Sequence, residues 1–328
     1  MPLWTLLIGC VVGAVLGSFL NMVIYRLPRG ISFVNPSSSI CPTCKAHLGW
    51  VDLVPLFSWL STGGKCRYCK APVAARYFLV EVLTGALFAG AWYAYQIQSD
   101  RMGHLWFVWA MLACLVAVVF IDWELYIIPD ELNAVILLVG LASSAYSGKL
   151  VEGAFGALTG WGIMFFISFV LGRLILQKDA LGDGDIKLMR GVGAMLGPLL
   201  TPVSVVIGVF AGLVIGVALM VLARRPAAET ENEGDAEPIP PPESLGSYLK
   251  RGVWYLLCLD IVAIPFPKLY RLIGEESPAL ETIDDDWEPS PTAIPFGPYL
   301  AIGAVVCLLG AQPITELVQN YFFPTPRP

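Results

Sequence analysis

The sequence predicts an all-α polytopic membrane protein with about eight transmembrane helices and a small cytoplasmic zinc-knuckle loop domain. Three observations predict it. Of the 328 residues 56% are hydrophobic and only 14% are charged, with a mean hydropathy of +0.70. A soluble domain averages roughly 25% charged and 45–50% apolar residues. The apolar residues gather into runs of roughly 17–25, the length that crosses a bilayer. Two Cys-x-x-Cys pairs share one basic loop.

The expected spans are 3–25, 77–97, 105–121, 131–147, 153–176, 202–223 and 295–312, with a shorter glycine-containing run at 186–200 as the eighth. No Lys or Arg precedes the first run and no small-residue cleavage site follows it. It therefore reads as a retained helix, not a signal peptide. Orientation follows from charge. Arg26, Arg29, Lys45, Lys65, Arg67, Lys70 and Arg76 crowd the segment 26–76 against a single acid, Asp52. Basic loops stay in the cytoplasm. Lys178, Lys187, Arg190, Arg224 and Arg225 mark later cytoplasmic returns, and eight spans place both termini outside. No internal repeat is evident.

These runs divide the chain into a first helix (1–25), the cysteine loop (26–76), a membrane core (77–223), an insertion (224–293) and a last helix with its tail (294–328). The insertion differs from the rest. Its acidic, Pro-rich run 229–243 and its acidic end 284–288 have the composition of solvated chain. Between them 248–273 is apolar with basic flanks, and Pro265 and Pro267 interrupt it. It is expected to lie on the inner membrane face; one more span is the alternative. The net charge of -6 comes largely from this insertion and says little about partners. No basic nucleic-acid surface is present, so membrane lipid is an expected contact and nucleic acid is not.

Cys41 and Cys44, then Cys66 and Cys69, have the spacing of a four-thiolate zinc site, because a two-residue gap lets both sulfurs of a pair face one metal. Two disulfides are the alternative, disfavoured in a cytoplasmic loop where thiols stay reduced. A closed four-sulfur site has no open position, which points to structural zinc. Gly63 and Gly64 suit the tight turn before the second pair.

Charges inside spans are costly and mark function by default. Asp122 ends the run 105–121, and Asp185 opens the short run 186–200 within Gly182-Asp183-Gly184-Asp185. Both fall at the same cytoplasmic depth. Two close carboxylates share one proton, so one can activate water while the other polarises a peptide carbonyl. Gly182 and Gly184 leave room for a substrate backbone beside Asp185. Asp130, after Pro129, reads as a helix cap, Asp183 as a support for Asp185 or a solvated acid, and Lys187 as a partner of lipid or of the acids. A proton relay in a transporter is the competing reading, but it would place its acids near mid-membrane.

Six segments in order resemble the bifunctional type IV prepilin peptidases: Gly17-Ser18-Phe19-Leu20-Asn21 with Tyr25-Arg26-Leu27-Pro28; the cysteine pairs around Trp50 to Pro55 and Ser58-Trp59-Leu60; Arg76-Tyr77 and Glu81; Asp122 with Ile128-Pro129-Asp130; Gly182 to Lys187; and Ile294 to Tyr299. The resemblance spans nearly everything except 224–293. It implies an inner-membrane aspartic protease, with Asp122 and Asp185 as catalytic pair. Such an enzyme cleaves the basic leader of type IV prepilins or type II secretion pseudopilins at the cytoplasmic face. It then N-methylates the new N-terminus with S-adenosylmethionine. In that family the cysteine loop is tied to methylation, which favours two activities over a protease that only cleaves. The sequence shows no glycine-rich loop to place the methyl donor. The acidic insertion suggests electrostatic recruitment of a basic leader.

Overall fold

A computed structural model describes residues 4–34, 39–96, 99–176, 181–223, 245–266, 269 and 295–322. All the named elements among the described residues are helical. Helix α1 (Trp4–Arg26) leads into the cysteine loop, which carries the short α2 (Phe57–Thr62). Then come α3 (Ala75–Gln96), α4 (Leu105–Leu125), α5 (Asp130–Tyr146), α6 (Leu150–Ile167) and α7 (Asp183–Ala223). Short α8 (Leu245–Leu256) and α9 (Leu259–Ala263) precede α10 (Gly297–Leu309) and α11 (Ala311–Phe322). Helix α6 runs on as a π-helical stretch, Ser168–Leu176.

Within the described residues, each of the eight expected spans is helical over most of its length. Among the described residues, five helices qualify by length and apolarity, Trp4–Arg26, Ala75–Tyr95, Met102–Leu125, Leu150–Gly172 and Asp183–Ala218; a sixth does if α10 and α11, bent by 87°, count together. Helix α5 has only 17 residues. The expected spans 186–200 and 202–223 share α7, yet the chain reverses between them. Gly197 holds φ +75, and a Cβ on Gly193 would lie 3.3 Å from Thr201 Oγ1. Eight residues along a straight helix would separate them by about 12 Å. Left-handed Gly197 followed by Pro198 turns one helix into two antiparallel limbs.

With lipid outside the bundle, close backbone packing does much of the work of holding membrane helices together. Gly9, Gly13 and Gly17 line one face of α1, and a Cβ on Gly17 would come within 2.8 Å of Glu81 Cα on α3. Gly153, Gly156 and Gly160 on α6 play the same part against Ala194, Gly193 and Met189 on α7. Helix α4 is the hub: Met111, Leu112, Val116, Ala117, Val118 and Ile121 are all buried. Exposed Trp4, Leu7, Val11 and Val15 give α1 an apolar outer face.

The acidic runs of the insertion lie outside the described residues. Its middle forms α8 and α9, neither of which qualifies as a span. Tyr248 stacks on Phe165, and Asp260 grips Arg190 through two bonds of 2.9 and 2.6 Å. This segment is thus anchored to the helices by buried charge, not by apolar flanks alone.

Candidate functional site

The cysteine loop builds its site from two copies of one turn. Cys41 N–H donates to Ala46 O and Lys45 N–H to Cys41 O; Cys66 and Lys70 repeat both bonds with Ala71 and Cys66. Lys45 and Lys70 both sit in the left-handed region, φ 58 and 62. The hexapeptide Cys-x-x-Cys-Lys-Ala therefore recurs at 41–46 and 66–71, a local repeat the sequence reading passed over. Gly63 and Gly64, just before the second pair, are left-handed as well, φ 61 and 68; Gly63 caps α2, and Gly64 packs on Trp59.

All four cysteines are free thiols, and their sulfurs lie within 4.8 Å of one another. Cys41 Sγ and Cys69 Sγ are 3.9 Å apart. A tetrahedral ion with about 2.3 Å metal–sulfur bonds needs about 3.8 Å between sulfurs. The residues fit such an ion. The Cys41 thiol is drawn down to about 6, chiefly by the Cys44 backbone N–H. For Cys69 the Ala71 N–H acts in the same sense, but burial and the neighbouring thiols prevail and push it up to about 11. Asp52 locks the loop: it pairs with Arg67 at 2.7 Å and accepts bonds from Gly49 N–H and Tyr68 O–H.

A second site forms where three helix ends meet. Asp122 lies in the last turn of α4, which Tyr126 closes in the left-handed region by donating its N–H to Asp122 O. Its Oδ2 accepts the Gly297 N–H at 2.9 Å, at the start of α10. A helix N-terminus favours an anion there. Asp185 sits in the first turn of α7. The two carboxylates are 5% and 7% exposed and feel each other's charge. Ile128 packs beside both glycines, 3.0 Å from a Cβ on Gly184 and 3.1 Å from one on Gly297. Gly184 thus serves helix packing; at Gly182 a Cβ would meet only Asp185 Oδ2, at 3.6 Å.

The surrounding acids have cations. Asp130 opens α5 right after Pro129 and pairs with Lys187 at 2.7 Å. Asp183 accepts bonds from Arg251 and Tyr255 O–H, both 2.9 Å. Glu124 pairs with Arg76 at 2.6 Å. Among the described residues neither Asp122 nor Asp185 has a cation, and Asp185 Oδ1 is buried without any hydrogen-bond partner. The sequence reading missed Gly297 N–H as a ligand of Asp122; Ile294 to Tyr299 was noticed, but nothing in it reveals a 175-residue contact. It also missed Arg251, Tyr255 and Asp260. A cavity of about 590 Å³ lined by Ser147, Lys149, Glu152, Gly197, Gln312 and Glu316 lies at the opposite helix ends, away from the aspartates.

Fold and site define a polytopic helical membrane protein with a four-cysteine loop. The bacterial peptidase A24 N-terminal domain matches residues 11–95, and the type IV leader peptidase family matches residues 109–217. A prepilin leader peptidase/N-methyltransferase of Myxococcus xanthus is 33% identical over 91% of this chain and 88% of its own length. Proteins of the same name from Aeromonas hydrophila and Pseudomonas aeruginosa are each 30% identical, over 74% and 78% of this chain and 86% and 91% of theirs. No solved structure matches. The chain belongs to the type IV prepilin leader peptidase family.

Proposed function

We propose that this protein cleaves the leader of type IV prepilins or type II secretion pseudopilins and then N-methylates the freed N-terminus. The observation that carries the first step is the pair of buried carboxylates, Asp122 and Asp185, without a cation among the described residues, while the neighbouring Asp130, Asp183 and Glu124 are each paired. Between them they share one proton. The ionised carboxylate takes a proton from water as the oxygen attacks the scissile carbonyl carbon. The protonated one donates a hydrogen bond to the carbonyl oxygen. Collapse of the tetrahedral intermediate breaks the C–N bond, with the proton passing to the leaving nitrogen. Asp122, already bonded by Gly297 N–H, suits the base; Asp185, with Oδ1 unpartnered, suits the donor. Their place at helix ends opposes a mid-membrane proton relay.

Cys41, Cys44, Cys66 and Cys69 hold Zn²⁺ as a closed, structural site that shapes the loop. S-adenosylmethionine is the methyl co-substrate. The released α-amine, with a pKa of roughly 7.7–8.0, is partly neutral and nucleophilic near pH 7. The basic loop 26–76 supports a cytoplasmic location for both reactions, at the inner membrane, and the exposed apolar helix faces suit lipid. Cleavage belongs to 77–223 with the start of α10, and methylation to the first helix, the cysteine loop and α3.

The test is a reconstituted assay with a prepilin peptide and S-adenosylmethionine, following cleavage and methylation separately. Asp122→Asn and Asp185→Asn are expected to lose cleavage while keeping zinc. Normal cleavage by either variant would overturn the pair.

A further inference from the structure

Between α1 and α3, beneath the cysteine loop, lies a second group of buried polar atoms that cleavage does not use. Glu81 is 7% exposed and Asn21 4% exposed. Glu81 accepts the Leu56 N–H at 2.7 Å and bonds the Ser18 hydroxyl, and no described cation pairs with it. Asn21 Nδ2 donates to Tyr77 O at 3.0 Å, which fixes the amide orientation, because a carbonyl only accepts. Asn21 Oδ1 is left buried with no donor. Ser18 and Asn21 share one face of α1, and Tyr77 and Glu81 share the facing side of α3. The carboxylate and the free amide oxygen therefore lie about one helical turn, roughly 5 Å, apart on one seam.

Such a seam is rich in acceptors and short of donors. Burying a carboxylate without a cation is costly, as is burying an unbonded amide oxygen. The ligand that satisfies both carries several N–H donors and a positive charge. Leu56, which covers Glu81, holds φ 62 and ψ -49 outside any helix or strand basin. A strained backbone of this kind costs about 1–3 kcal/mol. Leu56 N–H is thus a replaceable donor on a loop whose release relieves strain.

We propose that Glu81 and Asn21 Oδ1 form the site that binds the freed N-terminal amine for methylation, displacing Leu56 N–H. This rests on the two-step reading above. The amine arrives as an ammonium. Glu81 accepts one proton, and the nitrogen lone pair attacks the methyl carbon of the donor's sulfonium. The N–C bond forms as the C–S bond breaks, and its electron pair stays on sulfur as a neutral thioether. Arg76 ties the two sites together: it lies five residues before Glu81 and pairs with Glu124, two residues after Asp122. The amine made at one site is released at the bundle end where the other opens.

The experiment measures binding of a pre-cleaved prepilin peptide and of its N-acetylated form to the full-length zinc-loaded protein, beside cleavage and methylation rates. Wild type is expected to prefer the free amine at least about tenfold. Glu81→Gln is expected to lose that preference and at least about 100-fold in methylation, with zinc content and leader cleavage within about threefold. Asn21→Ala is expected to raise KM for the free-amine peptide with a smaller change in kcat. Ser18→Ala, which loosens only the brace, is expected to keep the preference. Equal binding of the two peptides by wild type overturns the site even if methylation proceeds. So does loss of zinc or cleavage in Glu81→Gln together with loss of preference in Ser18→Ala, which makes Glu81 a brace only. Weakened S-adenosylmethionine binding in Glu81→Gln with the amine preference intact assigns the carboxylate to the donor instead, and also overturns it. A wild type that cleaves but never methylates defeats the two-step reading itself.

Discussion

The cysteine loop and the aspartate junction hold their groups in opposite ways. The loop brings four thiols within 4.8 Å by two local turns, each closed by bonds over five residues or fewer. The junction brings Asp122 and Asp185 together only because α4, α7 and α10 converge, with Gly297 reaching Asp122 across 175 residues. The loop is short of apolar core, and its four sulfurs fit a cation. The junction is finished by packing and needs its cations kept away. The first site is expected to be sensitive to chelation and acid, the second to anything that moves a helix end.

The sharpest break of this contrast is at the aspartates. Asp122→Asn or Asp185→Asn removes a group that must carry or release a proton, and cleavage is expected to fall by at least about 10³-fold. Thermal stability is expected to hold or rise, because an amide is less costly to bury than an acid. Zinc content should not change, since the loop depends on neither residue. A variant that loses zinc as well would show that the two regions are not independent.

The next effect is on the loop. Cys66→Ser removes one of four ligands; zinc content is expected to drop below half and methylation by about 100-fold, with cleavage within about tenfold. Acidity should reproduce this without mutation. The metal-free loop keeps Cys41 as thiolate above about pH 6 while Cys69 holds its proton to about 11. Binding a dication to all four expels protons, so affinity rises with pH and falls most steeply below about 6, where Cys41 too is protonated. A chelator competition between pH 5.5 and 8.5 reads this directly. A flat profile would mean that the thiols are not the ligands.

This contrast also decides what the sequence could tell. Spacing within four residues is local, so Cys41, Cys44, Cys66 and Cys69 were legible at once. The apolar runs were equally legible, because each helix answers to lipid before it answers to its neighbours. That Asp122 ends one helix and Asp185 begins another could be counted from the apolar runs. What could not be counted was contact between distant segments. Lys187 was expected to meet lipid or the acids, and it pairs with Asp130; Asp183 is held by Arg251 and Tyr255. The reversal inside α7 was counted as two runs, 186–200 and 202–223, but its exact place, Gly197, lies in one dihedral angle and not in hydropathy. The recruitment suggested for the acidic runs falls outside the described residues.

The contacts of α8 and α9 test whether the junction depends on the insertion. Arg190 is buried and bonds Asp260 through both nitrogens as well as Tyr255 O. Asp260→Asn leaves that guanidinium half-satisfied in the interior, at a cost of about 3–5 kcal/mol. Helix α8 should then leave α7, seen as new proteolysis near residue 256. Cleavage of prepilin is expected to fall about tenfold, mostly in kcat, as the start of α7 loosens. Unchanged proteolysis would show that α8 is held by its aromatic contacts alone.

The smallest expected effect is the most informative about charge. Arg251 and Asp183 pair at 2.9 Å with side chains 15% and 34% exposed, so water shares the interaction. An ion pair this wet is worth up to about 1 kcal/mol. Its removal still leaves the Asp183 carboxylate, two residues from Asp185, answered only by Tyr255 O–H. Arg251→Ala is expected to lower kcat/KM for cleavage about fivefold, and more at low salt than at high. Arg251→Lys should restore most of it, and adding Asp183→Asn to Arg251→Ala should restore activity by removing the uncompensated charge. If neither variant recovers activity, Arg251 acts by packing on Tyr248, and the charge at Asp183 has no part in positioning the pair.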